Sequence, residues 1–150
     1  MNINPPIKIR AKVNFAVNNK FLNFTDALEL SLIKLKLKIV TRRWYSDDEF
    51  YLAASTSKEE VTPGDKNDSG ISLKLYDTPE GIEVVFYSIN SVTPGLGSKM
   101  VDACMKVLIK YKDRLYKVGG IPIIRVHHDW SGGFWEKMQS KYTEFNWNLT

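Results

Sequence analysis

Ile82-Glu83-Val84-Val85-Phe86-Tyr87-Ser88-Ile89-Asn90-Ser91-Val92-Thr93-Pro94-Gly95-Leu96-Gly97-Ser98 decides the fold. Its first half, Ile82 to Ile89, is rich in β-branched and aromatic residues and reads as a strand. Its second half carries a proline and two glycines and reads as a turn. The period then changes. Met100, Val101, Cys104, Val107, Leu108 and Tyr111 fall on one helical face, while Lys99, Asp102, Lys106, Lys110 and Lys112 lie largely elsewhere. A strand that runs through a glycine turn into an amphipathic helix is the junction from which α/β domains are built.

Upstream, Ile71, Leu73 and Leu75 alternate with Ser72, Lys74 and Tyr76. Asp77-Thr78-Pro79-Glu80-Gly81 then joins this run to Ile82, which predicts a hairpin. Residues 55–70 are polar, with Pro63-Gly64 and Asn67-Asp68-Ser69-Gly70, and read as a mobile loop. Phe50 to Ala54 reads as a short strand. Thr25 as a cap, followed by Asp26 and by Leu28, Leu32, Leu35 and Ile39 at helical spacing, predicts a helix over 25–39. Leu35 to Ile39 also alternates like a strand, so the two signals conflict there. Ile7, Ile9, Ala11, Val13, Phe15 and Val17 predict a long N-terminal strand before the Asn18-Asn19 turn.

Downstream, Gly119-Gly120 ends the helix region. Ile121 to His127 reads as a strand, 131–141 as a helix containing Phe134, Trp135 and Met138, and Tyr142 to Leu149 as a last strand. The expected order is β-α-β-β-β-α-β-α-β. It predicts a single α/β domain over 1–150, with a mixed central sheet flanked by helices.

The chain has 150 residues, 43% hydrophobic and 25% charged, which is ordinary for a globular domain and excludes a disordered or collagen-like chain. Two cores of half this length would each be marginal. Cys104 is the single cysteine, so neither an intrachain disulfide nor a cysteine-based zinc cluster can form, and a reducing, cytoplasmic setting is expected. No apolar run reaches the length of a membrane span. Met1 to Arg10 does not resemble a signal-peptide core.

The net charge of +4 is unevenly spread. Met1 to Arg43 carries nine basic and two acidic residues, Trp44 to Asn90 three and ten, and Ser91 to Thr150 nine and five. Either the segments neutralise one another, or an acidic face meets a cation and a basic face an anion.

Glycine lets backbone N–H groups approach a ligand, and a helix N-terminus adds its dipole, so the 91–98 turn suits a phosphate. His127-His128-Asp129 does not read as a metal site, because adjacent strand residues point to opposite faces and no third histidine exists. Cys104 lies on the apolar helix face and reads as core. Lys34, Lys36, Lys38, Arg42 and Arg43 beside Trp44-Tyr45 form a basic strip, but no nucleic-acid motif accompanies it, so nucleic acid is not the expected partner.

Val92-Thr93-Pro94-Gly95-Leu96-Gly97, between the strand and its helix, resembles the coenzyme A loop of the GNAT superfamily of N-acetyltransferases, Arg/Gln-x-x-Gly-x-Gly/Ala. Ser131-Gly132-Gly133-Phe134-Trp135-Glu136-Lys137-Met138 resembles that family's last-helix stretch, Ala-x-x-Phe-Tyr-Glu-Lys-Leu. The resemblance covers residues 82–142 in sequence and most of the chain in element order. It implies acyl transfer from acetyl-coenzyme A to an amine on a small molecule or protein. It also implies that the N–H groups of Thr93, Gly95, Leu96, Gly97 and Ser98 hold the pyrophosphate, with help from Lys99, and that a backbone N–H in Tyr87 to Asn90 polarises the thioester carbonyl. Members often dimerise. Two positions depart: Val92 replaces the Arg or Gln, and Trp135 replaces a tyrosine that acts as acid. An indole N–H supplies no proton at useful pH, so either another residue serves, with Tyr87 and Tyr142 the candidates though neither is at the motif position, or water serves, or the chain is not an acetyltransferase. The candidate bases are Glu83, the Asp47-Asp48-Glu49 cluster and His127 or His128. The alternative is a non-catalytic member of the same fold that binds a protein or nucleic acid.

Overall fold

The computed structural model describes residues 23–79, 81–115, 123–127 and 132–149. The strand expected at Ile7 to Val17 lies outside them.

Helix α1 runs through 23–33. It buries Phe24, Leu28 and Leu32, and the expected continuation to Ile39 does not occur. Lys36 adopts φ +66°, Lys36 N–H donates to Ile33 O at 2.8 Å and Leu37 N–H to Leu32 O at 3.3 Å. This pair of bonds around a left-handed residue is a Schellman stop. It buries Leu37 beside the helix end and turns the chain into strand β1, Lys38–Ser46. The alternation at 35–39 therefore belongs to the turn and to the start of a strand that helical spacing concealed. Thr25 does not cap the helix, which already includes residues 23 and 24. Its hydroxyl accepts from Arg42 Nη2 at 2.9 Å. Arg42 also pairs with Asp26 at 2.9 Å and Glu29 at 3.3 Å, which joins β1 to α1 and removes one member from the basic strip.

Strands β2 (Glu49–Ser55), β3 (Gly70–Thr78) and β4 (Gly81–Asn90) follow, then α2 (Leu96–Leu115), β5 (Ile123–Val126), α3 (Phe134–Lys141) and β6 (Asn146–Leu149). The sheet order is β1-β2-β3-β4-β5-β6. β1 to β4 pair antiparallel, and β4, β5 and β6 pair parallel. The hairpin expected around Pro79 is the β3–β4 pair, and the result is a single mixed α/β domain. The last strand begins at Asn146 rather than at Tyr142.

Alternation sets the two faces of the sheet. Phe50, Leu52, Ala54, Ile71, Leu73, Leu75, Ile82, Val84, Phe86, Ile124 and Val126 form one core with the buried sides of α1, α2 and α3. The helices described thus pack on one face. The second face carries Tyr45, Tyr51, Lys74, Tyr76, Glu83 and Tyr87, and no described helix packs on it. No helix among the described residues is long and apolar enough to cross a membrane.

Candidate functional site

The pairing of β3 with β4 is interrupted once. Ser72 pairs with Ser88 and Leu73 with Phe86, so Tyr87 is an additional residue in β4. Such a bulge bends its strand and disturbs the ladder. It falls at the end of the described pairing with β5, which covers Glu83 to Phe86 and closes with His127 N–H to Phe86 O at 2.9 Å. Tyr87 to Asn90 continue as strand with β3 on one side and no described pairing on the other.

The bulge also changes which side chains face where. Ile82, Val84 and Phe86 enter the core; Ile89 packs against it as well, three residues after Phe86. Tyr87 and Ser88 both point to the second face. Tyr87 stacks on His127 with ring centres 4.9 Å apart, and Ser88 Oγ lies 2.7 Å from Ser72 Oγ. Asn90 reaches the long β2–β3 loop. It accepts from Gly64 N–H at 2.9 Å and donates to Asp65 O at 2.8 Å and Asp68 O at 2.7 Å. The loop expected to be mobile is thus tied to β4.

Beyond Asn90 the glycine turn is ordered by its own bonds. Val92 N–H donates to the buried Ser69 Oγ at 2.9 Å, Leu96 N–H to Thr93 O at 3.1 Å, and Lys99 N–H to Gly95 O at 3.2 Å. Gly95 sits at φ +83°, a left-handed conformation that disfavours a side chain. Among the described residues none accepts from the N–H groups of Thr93, Gly95, Gly97 or Ser98. They sit at the positive end of α2, whereas Leu96 N–H, expected among the donors, is spent inside the turn. The Lys99 side chain lines the groove between α1 and α2. At Gly97 a Cβ would meet Ser91 Cβ at 3.5 Å and Phe134 Cε1 at 3.9 Å, so the starts of α2 and α3 lie side by side at the end of β4.

The three catalytic candidates are not all brought together. Glu83 and Tyr87 share the second face. Glu83 is ion-paired with Arg125 at 3.0 Å, and Tyr87 Oη lies 3.5 Å from Tyr76 Oη. Burial, with the Tyr87 contact second, pushes the Tyr76 phenol up to about 12. Tyr142 lies with the helices instead, buried in the core cluster, and its hydroxyl donates to Asp102 Oδ1 at 2.5 Å. Burial and the Asp102 carboxylate raise its pKa, so it holds its proton and is withdrawn from the β4 segment. Trp135 is core: it is 3% exposed and packs on Phe86 at 5.0 Å, on the helix side of the sheet. Asp47 and Asp48 form the turn between β1 and β2, and Glu49 is paired with Lys74 at 2.8 Å. His128 and Asp129 lie outside the described residues. Cys104 is fully buried, which pushes its thiol up to about 12 and makes it inert.

The second face also holds a cavity of about 190 Å³ that sequence reasoning missed. Ser72 and Ser88 form its floor, Tyr51 and Glu60 one wall, and Val61 and Pro63 of the long loop another. The Tyr51 hydroxyl donates to Glu60 Oε1, and burial, then this bond, holds the phenol up at about 12. The sequence signal for the cavity is Tyr87-Ser88, two consecutive residues that break the alternation of β4. Comparison of the chain with protein-family models, with curated proteins and with solved structures finds no match.

Proposed function

We propose that the protein transfers an acyl group from an acyl-coenzyme A thioester to an amine. The observation that carries this reading is the bulge at Tyr87: it falls at the end of the described pairing with β5, and the segment beyond it leads directly into the glycine turn. In open α/β sheets ligands gather beyond the carboxyl ends of parallel strands. The N–H groups of Gly95, Gly97 and Ser98, with Thr93, hold the pyrophosphate at the α2 N-terminus. The thioester then lies along Tyr87 to Asn90, where a backbone N–H polarises its carbonyl. The ammonium first loses a proton to solvent; the neutral amine then attacks the carbonyl carbon, a C–N bond forms, the C–S bond breaks, and the proton the amine loses passes to Tyr87 as Tyr87 gives its own to the thiolate. Tyr87 is the phenol on that segment and protonates the thiolate. Positioning is the larger contribution, since alignment of two bound reactants can supply several kcal/mol, on the order of 7–11. The lone buried thiol suits a reducing, cytoplasmic setting.

Thermal unfolding with acetyl-coenzyme A tests the reading. At 100 times Kd the stabilisation is about 2.7 kcal/mol. Gly97→Ala, whose Cβ makes only ordinary contacts, keeps the fold and the shift; Gly97→Trp, whose ring must enter the space beside Ser91 and Phe134, removes the shift, with circular dichroism checking that the fold persists. Absence of any shift at millimolar coenzyme overturns the enzyme reading and leaves the non-catalytic binding protein.

A further inference from the structure

We propose that the cavity between Ser72, Ser88, Tyr51 and Glu60 seats a linear alkylammonium group, the acceptor of the transfer. The role as acceptor rests on the function proposed above; the binding itself does not.

The lining dictates the chemistry. Glu60 is the one charged side chain among the residues that line the cavity. It is held in place by the Tyr51 hydroxyl, which remains a donor because its phenol stays protonated to about pH 12. Ser72 and Ser88 share one hydrogen bond and Ser72 also bonds Tyr51, so each serine oxygen keeps capacity to accept from a ligand. A carboxylate and hydroxyl oxygens suit the three N–H donors of an ammonium and disfavour a second anion. Val61, Pro63 and Ala53 supply apolar walls for an alkyl stem. The volume lies below the roughly 300–1,000 Å³ of sites that take drug-sized ligands, so the occupant is narrow.

Position links this cavity to the proposed reaction. Ser88 reaches the floor only because the Tyr87 bulge turns it to this face. Asn90, two residues on, clamps the loop that carries Glu60 and Pro63. One segment, Tyr87 to Asn90, therefore both lies beyond the described pairing with β5 and builds the cavity. Lys74, the cation of β3, is neutralised by Glu49 at 2.8 Å.

An alkylammonium comes from a free small amine or from a lysine side chain, and the probes separate them. Binding to the full chain is measured by NMR shifts with 1-butylamine, 1-butanol, a lysine-containing tripeptide and its Nε-acetylated form. The expected result is binding of butylamine but not butanol, or of the lysine peptide but not its acetylated form. Glu60→Gln weakens it about tenfold or more, and Glu60→Lys abolishes it. Glu60 is exposed on a loop, so both variants keep the fold. Equal binding of butylamine and butanol, or unchanged affinity in Glu60→Gln, overturns the proposal. The acetyl-coenzyme A shift is expected to be unchanged in both variants. If the amine binds as stated but the coenzyme does not, the cavity stands and acyl transfer falls.

Discussion

Ser72 Oγ and Ser88 Oγ lie 2.7 Å apart on the face of the sheet opposite the core, although Ser88 follows buried Phe86 by two residues. A regular strand returns residue i+2 to the same face, so the contact exists only because Tyr87 is an additional residue. The polar lining of the cavity and the break in the β3–β4 ladder share this single cause.

Ser72 is 6% exposed and depends on its partner. Ser88→Ala removes one of the partners of the buried Ser72 hydroxyl, which keeps Tyr51, and is expected to cost about 1 kcal/mol. The double change Ser72→Ala with Ser88→Ala costs less than the two single changes added, because both lose the same hydrogen bond. Urea unfolding of the four proteins in this cycle checks it; strict additivity would refute the coupling.

Deleting Tyr87 removes the bulge but keeps Ser88, Ile89 and Asn90 on their present faces. The variant is expected to retain its far-ultraviolet circular dichroism, to lose about 1–3 kcal/mol, and to lose the thermal shift with acetyl-coenzyme A. A full shift in the deletion variant would separate the bulge from coenzyme binding.

Asn90 makes three hydrogen bonds to the 64–68 part of the long loop. Asn90→Ala is expected to cost about 1–3 kcal/mol and to speed tryptic cleavage after Lys58 and Lys66, with the sheet intact. Limited proteolysis followed by mass spectrometry reads both sites. Cleavage at the parental rate would show that other contacts hold the loop.

Asp102 carries the pH dependence on the helix side. Burial acts to raise its pKa, but the hydrogen bonds from Tyr142 and Lys141 outweigh it and hold the carboxyl below the usual carboxylate range. A depressed carboxyl contributes stability at neutral pH that is lost as pH falls through its folded pKa. Tyr142→Phe is therefore expected to cost about 1–3 kcal/mol at pH 7, shrinking below about pH 4. Urea midpoints at pH 7 and pH 3 give the comparison. An equal penalty at both would mean that the lost phenol matters for packing rather than for the charged bond.

Much of the architecture was legible because local patterns and the burial they served agreed. The alternation of β3 holds throughout: Ile71, Leu73 and Leu75 are all core, and the Asp77–Gly81 turn makes the hairpin it promises. Met100, Cys104 and Leu108 lie inward on α2 as their spacing requires. Where two patterns overlapped, at Leu35 to Ile39, spacing could not arbitrate. The left-handed turn at Lys36, a residue type that gives no warning of it, ended the helix and began β1. The glycine turn could be located from sequence, but not which N–H groups its internal bonds consume.

The sequence by itself determined the α/β class, the strand-turn-helix junction at 82–98 and the apolar sides of the hairpin and of α2, because period and turn chemistry are local properties. Tertiary structure alone decided that Tyr142 and Trp135 belong to the helix side and Glu83 and Tyr87 to the other, since the face a residue takes depends on register across strands distant in sequence. It also decided that Glu60, Ser72 and Ser88 meet. Their meeting depends on one added residue in β4, whose effect appears only when a neighbouring strand is paired beside it.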